Sequence, residues 1–194
     1  MAVSLTKGGN VSLTKQAPGL TAVQVGLGWD ARVTDGAGFD LDASAFLLSA
    51  SGKVRSDGDF IYFNNLRSID GSVVHLGDNI SGIGDGDDEI ITVALDRLPG
   101  EIERIAFSVT IYEADGRRQN FGMVQRAYIR VVNQSTQEEL ARYDLSEDAS
   151  IETAMVFGEL YRDPNEAGGF KFKARGEGFA GGLGPLAASM GVNV

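Results

Sequence analysis

The chain has 194 residues, of which 43 % are hydrophobic and 23 % are charged, and its formal net charge is -10. This length and composition predict one globular domain that buries roughly 70 % of the surface of its unfolded chain, and they exclude a disordered chain. The negative charge and the scattered basic residues argue against a nucleic-acid-binding protein, because neutralising phosphates requires a basic patch.

Apolar and polar residues alternate in short stretches that are separated by Gly- and Asp-rich turns, which is typical of strands. In chain order, we predict strands over residues 21–29, 41–50, 60–63, 73–76, 90–95, 104–113, 127–133, 139–145, 154–161 and 170–174. Short helices are predicted over 118–125 and 183–190, with one helical turn over 96–100. Residues 176–184 are expected to form a flexible connector to a docked tail. The predicted fold is all-β, a two-layer antiparallel β-sandwich with a few short helices.

We expect residues 1–194 to form a single domain. Phe39-Asp40-Leu41 and Tyr143-Asp144-Leu145 both place an aromatic-Asp-Leu step at a predicted strand boundary. Two pseudo-repeated halves and a chance match of two tripeptides both account for this similarity.

The segment with the most distinctive chemistry covers residues 77–89 and joins two predicted strands. It contains five carboxylates, one Asn and four glycines, and no Lys or Arg occurs between Arg67 and Arg97. Two unit charges about 6 Å apart repel by roughly 0.7 kcal/mol in water and by about 2.8 kcal/mol at an effective dielectric of 20. A hard cation would remove this repulsion, and Ca²⁺ takes about six to eight oxygen ligands of these types. The alternative is a solvated acidic turn.

The spacing of this loop does not fit an EF-hand, because Ile80, Gly82 and Gly84 occupy positions where ligands belong. Asp40 and Asp42 are two residues apart and project from one face of an extended chain. If that strand end lies beside residues 78–89, both carboxylates are candidates to complete the calcium coordination. Otherwise they lie on an exposed strand edge.

Few residues are available for other chemistry. The chain has no Cys, which excludes disulfides, thiolate metal sites and Cys nucleophiles. His75 is the single histidine, and we expect it to pack in or near the core. A catalytic triad and a zinc site therefore lack support, and we expect no enzyme.

Several segments together resemble the TerD family of tellurite-resistance and general stress proteins. The resemblance rests on residues 77–89, the apolar strand and Leu98-Pro99 that follow, and on residues 3–10, 27–30, 39–42, 120–122, 157–162 and 182–183. It implies a β-sandwich with a calcium site around the acidic loop, where the motif positions are Asp78, Asn79, Asp85, Asp87, Asp88 and Glu89. It also implies a cytoplasmic bacterial protein that acts with other tellurite-resistance proteins, including a membrane partner, and has no established catalytic reaction.

The expected function is therefore that of a calcium-binding stress-response protein that acts through metal-dependent folding and protein–protein interaction. An alternative is a metal-dependent hydrolase that uses the clustered carboxylates to hold two cations. A calcium-dependent carbohydrate-binding sandwich is a third hypothesis, and it requires export. Residues 1–10 lack the apolar core of a secretory signal and no apolar run reaches eighteen residues, so we expect a cytoplasmic location without membrane insertion.

Overall fold

The computed structural model describes residues 2–30, 38–77, 86–145 and 151–194. The strands within these ranges are, in chain order, β1 (Val3–Leu5), β2 (Asn10–Ser12), β3 (Ala22–Gly28), β4 (Leu41–Leu48), β5 (Phe60–Ile61), β6 (Val73–His75), β7 (Glu89–Ala94), β8 (Arg104–Ile111), β9 (Tyr128–Asn133), β10 (Glu139–Asp144), β11 (Ala154–Arg162) and β12 (Phe170–Phe179). The described helices are α1 (Leu13–Gln16), α2 (Ala114–Arg117) and α3 (Leu183–Ser189), and 3-10 turns cover Asp57–Asp59, Leu95–Arg97 and Phe121–Met123.

The strands form two six-stranded sheets. Sheet A has the order β1-β10-β9-β3-β7-β6, and sheet B has the order β2-β12-β11-β8-β4-β5. β1 is parallel to β10, whereas the other described pairings between strands are antiparallel. The predicted mostly-β fold with two antiparallel-dominated sheets and few short helices is confirmed.

The two sheets share one buried core because their strands alternate in the expected sense. Glu89, Ile91 and Val93 of β7 are buried, while the residues between them are partly exposed. Side chains from both sheets meet in this core, among them Leu27 and Phe107. Each fully buried Leu, Ile or Phe contributes roughly 1.5–3 kcal/mol to stability, so this shared core holds the sheets together.

A second, smaller core lies on the outer face of sheet B. Leu186 and Ala187 of α3 are fully buried there against Phe46 and Phe60, whose rings stack 4.6 Å apart. The expectation of a docked tail is confirmed.

The bounds of three predicted elements were wrong. Gly176 to Phe179 belong to β12 rather than to a connector, because they continue the pairing with the start of β11. The predicted helix over 118–125 is replaced by α2 and the 3-10 turn at Phe121–Met123, since Arg118 adopts a left-handed conformation (φ 53°) that ends α2. The predicted turn over 96–100 lies at Leu95–Arg97. No described helix has the length and apolar content needed to span a bilayer.

Candidate functional site

One end of the molecule carries a concentration of carboxylates from both sheets. In sheet A, the start of β7 pairs with the end of β3, and in sheet B the start of β4 pairs with the end of β8. The two sheets meet at this end, where the Ala43 N–H donates to Glu89 Oε2 at 2.5 Å. We call this region the acidic end and define it by Asp30, Asp40, Asp42, Asp87, Asp88 and Glu89.

The structure therefore brings the β4 residues near one part of the predicted loop. The start of β4 lies beside the start of β7, which was the condition for Asp40 and Asp42 to belong to a shared site. The predicted ligands Asp78, Asn79 and Asp85 lie outside the described residues.

Asp87 lies on the outer face of sheet A, where two side chains of β9 hold it. Its Oδ1 accepts hydrogen bonds from Arg130 Nε at 2.7 Å and from the Tyr128 hydroxyl at 3.0 Å, and its side chain is only 6 % exposed. Gly26 makes room for this contact, since a Cβ there would lie 2.1 Å from Asp87 Oδ2. Gly28 does the same for the Tyr128 ring, which a Cβ would approach to 2.4 Å. The Gly26-Leu27-Gly28 step thus accommodates two side chains on the sheet surface.

The contact with Arg130 changes the electrostatic argument. The sequence has no cation between residues 67 and 97, yet the fold places a guanidinium against Asp87 and pairs it with Glu139 as well, at 3.2 Å. Burial, the charge of Asp87 and its hydrogen bond together raise the pKa of Tyr128 to about 12, so its hydroxyl remains a donor. Asp87 is therefore neutralised by the protein itself.

Asp88 has a different environment. Its Oδ2 accepts a hydrogen bond from the Trp29 backbone N–H at 2.9 Å. Burial raises the pKa of Asp88, the charges of Asp87 and Asp30 raise it further, and the bond from Trp29 opposes them. Burial is the largest of these causes, and the smaller contributions from the charges of Asp87 and Asp30 are the part that would also favour a nearby cation.

Glu89 points into the core. Its Oε2 lies 3.4 Å from His75 Nε2, and both side chains are 1 % exposed. His75 Nδ1 accepts the Gly77 N–H at 3.1 Å, which places the proton of a neutral imidazole on Nε2, facing Glu89. The expected burial of His75 is confirmed. β5 pairs with β4 only at Ala45 and Phe46, so the Glu89 carboxylate serves as the acceptor for the Ala43 N–H beyond that pairing.

Asp40 and Asp42 are both buried, at 9 % and 8 % exposure. Ala43 faces the shared core, so Asp42 faces the outer side of sheet B, away from Glu89. There it lines a cavity of about 720 Å³ together with Tyr112 and Arg117. The Arg117 Nη1 lies 4.0 Å from Asp40 Oδ2.

The described carboxylates of the acidic end thus point in several directions. Within the described ranges, no three His, Cys, Asp or Glu side chains are grouped so that they could hold a metal ion. The partners Tyr128, Arg130 and Trp29 were missed by the sequence interpretation. Tyr128 and Arg130 alternate on the strand opposite Gly26 and Gly28, and that pattern of large polar residues facing glycines is the signal that could have identified them.

The comparison with known proteins agrees with the fold. The TerD domain family model matches residues 1–190. The chain belongs to the TerD family. It is 62 % identical to the tellurium resistance protein TerD of Alcaligenes sp, with 100 % of this chain and 99 % of that protein covered. It is 53 % identical to general stress protein 16U of Bacillus subtilis (strain 168), with both chains fully covered.

A solved structure supports the same assignment. The crystal structure of SCO6318 from Streptomyces coelicolor A3(2), a homologue of telluride resistance protein (TerD), matches with a TM-score of 0.70 and 28 % identity, covering 89 % of this chain and 98 % of that one. The resemblance inferred from the sequence is confirmed, and the chain is a TerD-family protein of the tellurium-resistance and general-stress group.

Proposed function

We propose that this TerD-family protein binds Ca²⁺ at the acidic end and acts in the cytoplasmic stress response through metal-dependent folding and protein–protein interaction, without a catalytic reaction. The observation that carries the proposal is the concentration of carboxylates at the start of β7, directly after residues 78–85, where the charges of Asp30 and Asp87 act on Asp88. Family membership supports the stress-response role.

The electrostatics of the described residues support a cation beside Asp88. Arg130 pairs with Asp87, and the Ala43 N–H and His75 hold Glu89, whereas the charges of Asp87 and Asp30 add to the effect of burial in raising the pKa of Asp88. We therefore propose that Asp87 and Glu89 mainly attach the C-terminal end of the acidic segment to the two sheets. Asp88, together with Asp78, Asn79 and Asp85, is proposed to supply the oxygen ligands.

Calcium calorimetry on the wild type and on an Asp78→Asn, Asp85→Asn double variant tests this assignment. The matched control is Asp96→Asn, because Asp96 is exposed and follows the opposite end of β7. We expect calcium binding in the wild type and the control and at least a tenfold loss in the double variant. Calcium at about a hundredfold excess over Kd should also stabilise the fold by about 2.7 kcal/mol relative to chelator. Absence of binding in the wild type, or an equal loss in the control, would contradict the proposal.

One observation favours the metal-dependent hydrolase as a second candidate. The fold places the guanidinium groups of Arg130 and Arg142 near the acidic end, and these could contact a substrate phosphate. Each already has carboxylate partners, however, and Arg142 also lies 3.7 Å from the centre of the Tyr128 ring. A hydrolase should prefer Mg²⁺ or Mn²⁺ over Ca²⁺ and should turn over a generic phosphomonoester. Calcium preference without turnover would eliminate this candidate.

The proposed partners are other tellurite-resistance proteins, including a membrane protein, and not nucleic acid. An exposed apolar stretch supports protein–protein contact: Leu66, Ile69 and Leu76 are 45 %, 82 % and 57 % exposed, close to the edge strands β5 and β6. Copurification with coexpressed tellurite-resistance proteins should be lost in Ile69→Asp. It should persist in Ile151→Asp, an equally exposed control at 85 %.

A further inference from the structure

A basic cavity opens on the outer face of sheet B, although the chain as a whole is strongly acidic. It has a volume of about 400 Å³, and its charged lining consists of four cations and two carboxylates: Arg104, Arg162, Lys173, Arg175, Glu103 and Glu159. It lies where β8 and β12 begin and β11 ends, about seven residues or roughly 23 Å along β11 from the acidic end. The cavity and the acidic end are therefore separate features.

Arg162 is held rigidly at this cavity. Its Nε donates to the Ile102 carbonyl at 2.8 Å, and its Nη2 donates to the carbonyls of Leu98 and Pro99 at 3.2 and 3.1 Å. Its guanidinium also lies 5.2 Å from the centre of the Phe170 ring. Because these are neutral partners, the positive charge of Arg162 is fixed in place without being neutralised.

Glu159 positions two further guanidinium groups, and Glu177 also holds one of them, Arg175, through two hydrogen bonds at 2.9 Å. Glu159 is 7 % exposed and accepts hydrogen bonds from Arg104 Nη1 at 3.2 Å and from Arg175 Nη1 at 2.7 Å, each on a different oxygen. Arg104 keeps its Nε and Nη2 donors without another hydrogen bond among the described residues. These guanidinium groups are therefore largely ordered before any anion binds, so that binding an anion costs little additional side-chain entropy.

Lys173 and Tyr161 complete the set of donors. Lys173 pairs with Glu159 in the β11–β12 register and shares its face, but its ammonium forms no ion pair with the described residues. Burial raises the pKa of Tyr161, and the charges of Asp163 and Glu159 add to the shift. The phenol therefore stays protonated and can donate at neutral pH.

We propose that this cavity binds a small, multiply charged oxyanion, with Lys173 and Arg104 as its direct donors and Arg162 as a fixed positive charge beside it. Several N–H donors around a cavity of this size match the acceptor oxygens of inorganic phosphate and of tellurite. The shared chemistry is that of a compact oxyanion, and the two anions are separate arms of the test.

The test is calorimetric titration of the full chain with inorganic phosphate and, separately, with sodium tellurite, at constant ionic strength set with chloride. We expect saturable binding of at least one oxyanion with a Kd of about 1 mM or tighter, and a loss of about tenfold or more in Lys173→Gln. The matched control is Lys171→Gln, which removes the same charge two residues away on the same face of β12 but does not line the cavity. Its affinity should stay within about twofold of the wild type.

The urea midpoint of each variant without anion shows whether it is folded, and Arg104→Gln replaces Lys173→Gln if the latter is unfolded. The anion that binds identifies the source of the oxyanion. Failure of both anions to bind the wild type, or equal losses in Lys171→Gln and Lys173→Gln, would overturn the proposal. Because the cavity is remote from the acidic end, neither result depends on calcium binding.

Discussion

Replacing Gly26 by Ala should detach Asp87 from sheet A. The new Cβ would lie 2.1 Å, 2.2 Å and 2.6 Å from Asp87 Oδ2, Cγ and Oδ1, so the carboxylate has to move. It would then lose its hydrogen bonds from Arg130 and Tyr128, and a hydrogen bond to a charged group contributes about 1.5–3 kcal/mol. Two effects reduce this cost. Water hydrates the displaced carboxylate, and Ala is favoured over Gly in a strand by roughly 0.5–1 kcal/mol. We expect a net destabilisation of about 2 kcal/mol, or about 4–8 °C in Tm.

Urea unfolding of a double-mutant cycle measures this effect. In an Asp87→Ala background the clash is absent, so Gly26→Ala should be neutral or stabilising by about 0.5–1 kcal/mol. Gly100→Ala is the control, since a Cβ at Gly100 meets no atom within 4 Å and should change stability by less than about 0.5 kcal/mol. An equal cost of Gly26→Ala in both backgrounds would refute the proposed role of Gly26.

Three other outcomes follow from the same structure. Glu89→Ala should destabilise the protein by about 2–6 kcal/mol in urea unfolding with chelator present, because it leaves two buried donors, the Ala43 N–H and the His75 N–H, without their acceptor; a loss below about 1 kcal/mol would contradict this. Tyr128 should titrate at about 12 by NMR, and Asp87→Asn should lower this pKa, whereas an unchanged value would argue against their coupling. The hydrogen bond from Arg175 lowers the pKa of Glu177 below 4.5. The contribution of this ion pair to folding stability is therefore complete above pH 4.5 and disappears as the pH falls through the lowered pKa. The stability difference between wild type and Glu177→Gln, about 0.5 kcal/mol because the side chain is 46 % exposed, should therefore shrink on acidification in urea midpoints.

The sequence predicted the strands that have a buried face, because their alternation records which side chains enter the core. β1 and β2 were missed, since three residues per strand carry too little periodicity to stand out from a loop. The last residues of β12 were assigned to a connector because Gly176 and Gly178 resemble a linker, although pairing with β11 keeps them in the sheet. Local composition cannot show that a distant strand will pair with these residues.

The candidate site, like the fold, was predicted from the sequence only in part. The acidic segment and the glycines of β3 are visible in the sequence, but the ion pair between Asp87 and Arg130 joins residues 43 positions apart. The direction in which each carboxylate points depends on the sheet face beneath it. Glu89 could not be distinguished from its neighbours until the fold showed it against His75 and the Ala43 N–H.

The strand order also has a consequence for how this protein is made. β1 pairs with β10, and β2 pairs with β12, so the first strands in the sequence find their partners only late in synthesis. At about 5–20 residues per second, the roughly 160 residues between Val11 and Phe172 take about 8–32 s to synthesise. During that interval β2 has no partner strand, and β1 has none until β10 is made, so the nascent chain is open to pairing with strands of other chains. Productive folding should therefore be sensitive to translation rate and to chaperone supply.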